Sequence, residues 1–311
     1  MRTKPLVSVV IPLHNKADFI LKTLGSAACQ IDSDLEIIIV DDGSTDGSAQ
    51  IVESAGVPRL RLIKQANAGV SAARNRGVAA AEGKWIALLD ADDLWSQDHV
   101  AGLLNVLEGS ATIAAFSNLR LQSRGGRPLI DEKVAAQKVD DYFSFALSNG
   151  GYPVSSSSII VLRDQLLAAG RFAEGVSAGE DVDMWCRLAC QGPFLYNARI
   201  SATYNDARSP TLHSDRREVV RPIFAQRLPD LVRDGRVPPV LMASARRYAN
   251  FLMLEYVRQL LDSDQYIEAR AVLLNDCVPR YDSKRFMKRL ARTWPLGRTL
   301  FRLSRGHAKR L

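Results

Sequence analysis

Residues 85–93 read Trp-Ile-Ala-Leu-Leu-Asp-Ala-Asp-Asp, and the rest of the chain is organised around them. The stretch follows Gly83, begins as an apolar run and ends in three carboxylates within four residues. A short apolar run bounded in this way predicts a buried β-strand with acidic residues at its carboxyl end. In open α/β sheets, ligands bind outside the carboxyl ends of the strands.

Two interpretations of this acidic cluster stay open at this point. Crowded carboxylates repel one another unless a positive charge joins them. Their hard oxygen atoms suit Mg²⁺ or Mn²⁺, and such ions also bind phosphate oxygens. The alternative is a solvated turn in which Asp93 or Ser96 caps the next helix.

The first part of the chain alternates short apolar runs with helical patterns. We predict strands over 6–12, 35–40, 60–64 and 85–90, and helices over 19–28 (capped by Asp18), 48–55 and 70–82. Such alternation predicts an α/β fold with a doubly wound, mostly parallel sheet. The carboxyl ends of parallel strands share one edge of a sheet, so we expect three polar clusters to converge there. These clusters are His14-Asn15, Asp41-Asp42 and residues 90–93.

Arg74 lies in the predicted helix over 70–82, about one turn after its start. From there its guanidinium group can reach the same edge of the sheet and bind phosphate. The alternative is an ordinary surface arginine, which is the more frequent environment of this residue type.

The second part is less regular, and its most informative stretch is residues 175–181, Gly-Val-Ser-Ala-Gly-Glu-Asp. Short side chains lead there into Glu180 and Asp181, directly before a helix that we predict over 182–190. Acids at a helix N-terminus complement the helix dipole and cap the helix. They can also supply a general base at the edge of a loop, and the two roles are compatible.

Composition limits the function classes. The chain has 311 residues, 47% hydrophobic and 24% charged, which indicates one large globular domain or two smaller ones. A net charge of +7 favours anionic partners. The four cysteines form no CxxC pair, and no apolar run is long enough to span a bilayer. These features predict a reducing, cytoplasmic location.

The last hundred residues change character, with a helical pattern from about 214 and a strongly basic segment over 280–311. Phe286, Leu290 and Trp294 are spaced i, i+4, i+8 and share one helical face. A basic amphipathic helix of this kind is typical of an element that binds a membrane surface, here the inner face of the cell membrane. A solvated basic tail or an RNA-binding tail are the alternatives. The rich apolar face argues against a nucleic-acid partner.

Together, five motifs in order resemble family 2 glycosyltransferases with the GT-A fold, over about residues 5–205. They are residues 7–12 with Asn15, residues 40–46, residues 67–69 with 73–75 and Gly77, residues 90–93, and residues 179–181. The resemblance implies a Rossmann-like, nucleotide-sugar-binding half over 1–117 and an acceptor-binding half over 118–212. A C-terminal helical region then follows over 213–311.

The resemblance also implies roles for individual residues. Asp42 would accept a hydrogen bond from the nucleobase of the donor, and Asp90 would contact the ribose of the donor. Arg74 would lie near the base or the diphosphate. The full set of donor-binding residues that it implies is Pro12, His14, Asn15, Asp42, Arg74, Asp90 and Ala91.

Metal and catalytic roles follow from the same resemblance. Asp92 would hold Mn²⁺ or Mg²⁺, with Asp93 as the competing ligand. Asp181 would be the catalytic base, and Glu180 would lie near the acceptor. The loop over 175–179 would close over the bound donor and exclude water.

The implied activity is inverting transfer of one sugar from a nucleotide-diphosphate sugar, above all a UDP-sugar, to a hydroxyl group. The acceptor would be a saccharide or a lipid-linked glycan of the cell surface. The Gln-x-x-Arg-Trp motif of processive members is absent. Two rival functions are a nucleotidyltransferase, which would need a glycine-rich, lysine-bearing phosphate loop, and a non-catalytic adaptor. The acids at Asp42, Asp92 and Asp181 argue against the adaptor.

Overall fold

The computed structural model describes residues 4–30, 34–123, 125–205 and 219–294. The chain divides into two compact units, residues 1–216 and 217–311. The part of the predicted basic tail over 295–311 lies outside the described residues.

The first unit is an α/β domain. Its strands are β1 (Val7–Leu13), β2 (Leu35–Asp42), β3 (Leu60–Gln65), β4 (Trp85–Leu88), β5 (Leu94–Trp95), β6 (Ala114–Leu121), β7 (Arg127–Pro128), β8 (Gln137–Val139), β9 (Ile159–Leu162) and β10 (Phe194–Tyr204). Its helices are α1 (Ala17–Ala28), α2 (Ser48–Ser54), α3 (Val70–Ala80), α4 (His99–Leu107), α5 (Tyr142–Ser148), α6 (Arg163–Ala169) and α7 (Glu180–Ala189).

All these strands belong to one sheet, whose main path runs β3-β2-β1-β4-β9-β6-β10-β5. The strands β3, β2, β1 and β4 are parallel, and β6 is parallel to β10. Strand β9 is antiparallel to both of its neighbours, β4 and β6, and so joins the two parallel parts. The predicted mostly parallel sheet is therefore confirmed.

The central strands are apolar because helices cover both faces of the sheet. Every residue of β1 and β4 is buried. Helix α3 lies especially close to the sheet at Gly77. A Cβ atom added there would lie 2.4 Å from Cγ1 of Val10, which is too close for any side chain.

Three details differ from the sequence predictions. Helix α1 begins at Ala17, so Asp18 lies inside its first turn and complements the helix dipole instead of capping the helix. Helix α4 begins after Asp98, and neither Asp93 nor Ser96 caps it. The long strand β10 was not predicted, because Asn197 and Arg199 interrupt its apolar pattern.

The second unit is helical, as predicted. It contains α8 (Ile223–Arg233), α9 (Met242–Asp262), α10 (Tyr266–Asp276) and α11 (Ser283–Arg292). Its apolar cluster includes Phe286, which is 6% exposed, and Leu290 packs against the same cluster. Two of the three predicted membrane-facing residues therefore point into the unit, while Trp294 is 51% exposed. None of the helices in the described ranges is long and apolar enough to cross a bilayer.

Candidate active site

The loops after β1 and β2 meet at the carboxyl edge of the sheet, as the strand pattern predicted. His14 donates through Nδ1 to the backbone carbonyl of Asp42 at 2.9 Å. The amide oxygen of Asn15 accepts from the backbone N–H of Thr45 at 2.8 Å. Asn15 has a positive φ of 51°, a conformation that asparagine tolerates better than most residues. Pro12 is buried within β1, opposite Val40.

The carboxylate of Asp42 organises the turn before α3. It accepts hydrogen bonds from Gln65 Nε2 at 2.8 Å, from the N–H of Ala68 at 2.9 Å and from the N–H of Gly69 at 2.8 Å. The residue is 3% exposed. Asp42 therefore fixes the shape of this turn. Its predicted contact with the nucleobase of a donor stays a prediction.

Arg74 joins two parts of the site and is not an ordinary surface arginine, since it is 4% exposed. One guanidinium nitrogen donates to Asp90 Oδ1 at 2.7 Å and another to Glu180 Oε1 at 2.8 Å. Burial alone would lower the pKa of Arg74, but the charges of these two acids outweigh burial and raise the pKa. Arg74 thus stays charged and ties the end of β4 to the start of α7.

Asp181 lies beside this bridge, in the first turn of α7. Its Oδ1 accepts from the N–H of Val182 at 2.7 Å. Burial, followed by the negative charge of Glu180, raises the pKa of Asp181 to about 6, against the lowering effect of Arg74. A carboxylate with a pKa near neutrality is well suited to act as a general base.

Asp92 faces a positive charge at the end of β4. Its Oδ2 lies 2.5 Å from Nζ of Lys16, and the two side chains are 13% and 14% exposed. The neighbouring Ala91 is buried, and its carbonyl accepts from the hydroxyl of Thr23 at 3.0 Å. Asp92 is therefore partly accessible at the surface of the site, and the backbone before it is held by the hydrogen bond to Ala91.

Asp93 points the other way and is fully buried. Its carboxyl accepts from Ser157 Oγ at 2.5 Å and from the N–H of Asn205 at 2.9 Å. Burial, followed by the charge of Asp90, raises the pKa of Asp93 well above its usual value. Asp93 thus ties the end of β4 to the segments before β9 and after β10, and it exposes no oxygen to an ion.

Three residues of the site were not assigned roles from the sequence. Asn75 accepts from the N–H of Phe172 at 2.8 Å and donates to Glu174 Oε1 at 2.7 Å, so it anchors the chain just before the 175–179 loop. The sequence signal that could have identified Asn75 is its position directly after Arg74. Tyr204 ends β10, and burial followed by the charge of Asp90 raises the pKa of its hydroxyl. Lys16 carried no signal beyond its place in a loop.

The donor chemistry of the site fits a divalent cation of the Mg²⁺ or Mn²⁺ type. Among the described residues, no group of three or more His, Cys, Asp or Glu side chains forms a complete metal site. Mg²⁺, however, is usually held by one or two carboxylates together with substrate phosphates. Asp92 already faces a cation, so this position accepts positive charge.

Solved structures with the same architecture define the class of fold. TarS of S. aureus, residues 1–349 with UDP-GlcNAc, superposes with a TM-score of 0.68 at 18% identity, covering 93% of this chain and 90% of that one. A mannosyltransferase of Pyrobaculum calidifontis with GDP-Man and Mn²⁺ gives 0.58 at 19% identity, covering 96% and 83%. The fold is that of the GT-A glycosyltransferases.

Sequence comparison agrees with this fold. Residues 8–143, which are less than half of the chain, match the model of glycosyl transferase family 2, so this part of the chain is similar to that family. Chondroitin synthase of Escherichia coli is 30% identical over 212 residues, which are 64% of this chain and 29% of that protein. The matched stretches amount to about a third of the length of the curated relatives.

Proposed function

We propose that the protein is an inverting glycosyltransferase that moves one sugar from a nucleotide-diphosphate sugar, with UDP-sugars as the leading donors, to a hydroxyl acceptor. The acceptor belongs to a cell-surface polysaccharide or glycolipid. The observation that carries the proposal is the Arg74 bridge. It places Asp181, with its pKa of about 6, beside the acids at the end of β4. In the proposal, a general base and a cation-binding group of acids therefore share one site.

In this proposal Asp181 removes the proton of the acceptor hydroxyl as the oxygen attacks the anomeric carbon. The new carbon–oxygen bond forms on one face while the bond to the diphosphate oxygen breaks on the other. A single base without a covalent intermediate gives inversion, as in inverting hydrolases. Glu180 is already bonded to Arg74, so its role is to hold the base and the bridge in place near the acceptor.

Metal dependence is the second part of the proposal. Asp92 would hold Mn²⁺ or Mg²⁺ together with the diphosphate oxygens of the donor, whereas Asp93 has a structural role. When bound, the cation would neutralise charge on the departing diphosphate. The P. calidifontis mannosyltransferase, which has the same fold, is in complex with GDP-Man and Mn²⁺, and this supports a divalent cation as part of the proposal.

The remaining donor-site residues shape the nucleotide pocket in the proposal. Asp42 fixes the turn over 67–69, and His14 lies against this turn, with its Nε2 3.2 Å from Nδ2 of Asn67. The nucleobase of the donor would lie beside this group, next to Asn15 and Pro12. Asp90 would reach the ribose with its orientation set by Arg74.

We also propose that the second unit brings the enzyme to an anionic membrane at its cytoplasmic face. Because Phe286 and Leu290 are packed inside the unit, the contact would use the exposed side of α11. Met287 is 59% exposed there, beside the exposed Lys284 and Lys288. Basic residues next to exposed apolar ones favour anionic lipid.

The decisive experiment is calorimetric binding of UDP, GDP, CDP and dTDP, each with Mn²⁺ and with EDTA. Tight binding of one diphosphate that is lost with EDTA, and lost in Asp92→Asn, would support a metal-dependent donor site. Incubation with the matching sugar donor and NMR analysis of the product would then show the number of sugars added and the anomeric outcome. A folded protein that binds none of the four would refute the proposal and favour the adaptor.

A further inference from the structure

Lys16 occupies a fixed position at the mouth of the candidate site. It directly precedes α1, its N–H donates to Ser48 Oγ at 2.9 Å, and its carbonyl accepts from Phe19 at 3.0 Å. These bonds hold the backbone, so only the side chain of Lys16 is left to move. That side chain ends 2.5 Å from Asp92 Oδ2.

The neighbouring acids explain why a cation is needed there. Asp90 is bonded to Arg74, and Asp93 is buried with both oxygens bonded to other groups. The ion pair between Lys16 and Asp92 compensates the remaining acid of the cluster, which would otherwise face other carboxylates across a short distance. The ammonium group therefore lies against the same carboxylate that would hold a divalent cation.

We propose that Lys16 is a positioning residue that holds Asp92 in the ligand-free protein and must release it before a divalent cation binds. The inference rests on the metal site of the proposed function. The ammonium group and a divalent cation are both positive and repel each other at one carboxylate, so metal alone must compete with Lys16. A bound diphosphate gives the released ammonium group a new anionic partner.

This competition makes metal and nucleotide bind cooperatively. The diphosphate lowers the cost of releasing Lys16, so it strengthens metal binding, and by linkage the metal strengthens nucleotide binding by the same factor. Without Lys16, Asp92 is open to the metal at all times. Metal binding alone then becomes stronger, and the cooperativity shrinks.

The test compares Lys16→Met with the wild type by the EPR signal of unbound Mn²⁺, first with Mn²⁺ alone and then with UDP or the diphosphate that binds. We expect Lys16→Met to bind Mn²⁺ alone about tenfold more tightly and to lose a similar factor of cooperativity. Lys22→Met removes an exposed lysine of α1, the helix that follows Lys16, and should match the wild type. Lys16→Gln keeps a hydrogen-bond donor without the charge and should show the same direction of change.

The outcomes separate this inference from the function on which it rests. Equal Mn²⁺ affinity of Lys16→Met and the wild type, including no detectable binding by either, would overturn the inference. A gain that survives Asp92→Asn in the Lys16→Met background would also overturn it, because the new site would not be Asp92. Failure of the wild type to bind any diphosphate with Mn²⁺ refutes the proposed function and is measured independently.

Discussion

Replacing Asp181 with asparagine should separate catalysis from stability. The folded protein raises the pKa of this carboxyl from 3.8 to about 6, so folding favours its protonated form. The favourable contribution is complete below about pH 4 and is lost as the pH rises through about 6. At pH 7 the charged group therefore costs free energy, and asparagine removes that cost while its amide oxygen keeps the bond from Val182.

The size of the effect follows from the two pKa values. The difference between 3.8 and about 6 corresponds to about 3 kcal/mol, at about 1.4 kcal/mol per pKa unit. Asp181 is only partly buried, so solvent reduces this upper value to about 1–2 kcal/mol. Urea unfolding should show Asp181→Asn to be more stable than the wild type at pH 7–8, with no gain at pH 4.

Activity should change in the opposite direction. Loss of the base should lower turnover about 10²- to 10⁴-fold, while the affinity for the nucleotide diphosphate stays within about twofold. Wild-type turnover should fall as the pH drops below about 6, since Asp181 becomes protonated. Asp164→Asn, which changes an exposed acid in the first turn of α6, is the matched control. Full activity of Asp181→Asn with the donor bound would refute the assignment of the base.

Three further predictions concern the acids at the end of β4, the Arg74 bridge and exposed residues of the second unit. Asp92→Asn should abolish Mn²⁺-dependent nucleotide binding in calorimetry. Asp93→Asn should keep this binding, because the buried Asp93 carboxyl already has a raised pKa. Equal loss in both variants would contradict the structural role of Asp93. Arg74→Lys should lower turnover at least about tenfold, since lysine cannot bond both acids, and unchanged steady-state kinetics would show the bridge to be dispensable. Lys288→Glu and Trp294→Ala should each reduce co-sedimentation with vesicles that contain anionic lipid, and unchanged sedimentation would count against membrane binding through α11.

Much of the first unit could be predicted from the sequence because its strands are short apolar runs with clear ends. The predicted strand over 35–40 and helix over 70–82 agree with β2 and α3 to within two residues. Strand β10 was missed because it lies partly at the surface and alternates poorly. The inward packing of Phe286 could not be predicted either, since an amphipathic face does not say whether protein or lipid covers it.

The candidate site was predicted at the level of segments and less well at the level of contacts. Acids at strand ends indicated where a site would form. The sequence did not reveal that Arg74 reaches Glu180, because the two residues are 106 positions apart. It also did not distinguish Asp92 from Asp93, which are chemically identical and differ only in the direction that the turn gives them.

Gly77 has a consequence beyond the packing of one helix. It lies about one turn after Arg74 on α3, at the point where the helix touches Val10. Any side chain there would push the helix off the sheet and carry the guanidinium group with it, away from both acids that it bridges. The absence of a side chain at Gly77 thus determines the position of Arg74, which lies about 5 Å away along the helix axis, towards the N-terminus of α3. A substitution at the buried Gly77 would therefore displace Arg74 in the candidate active site while the chain stays folded.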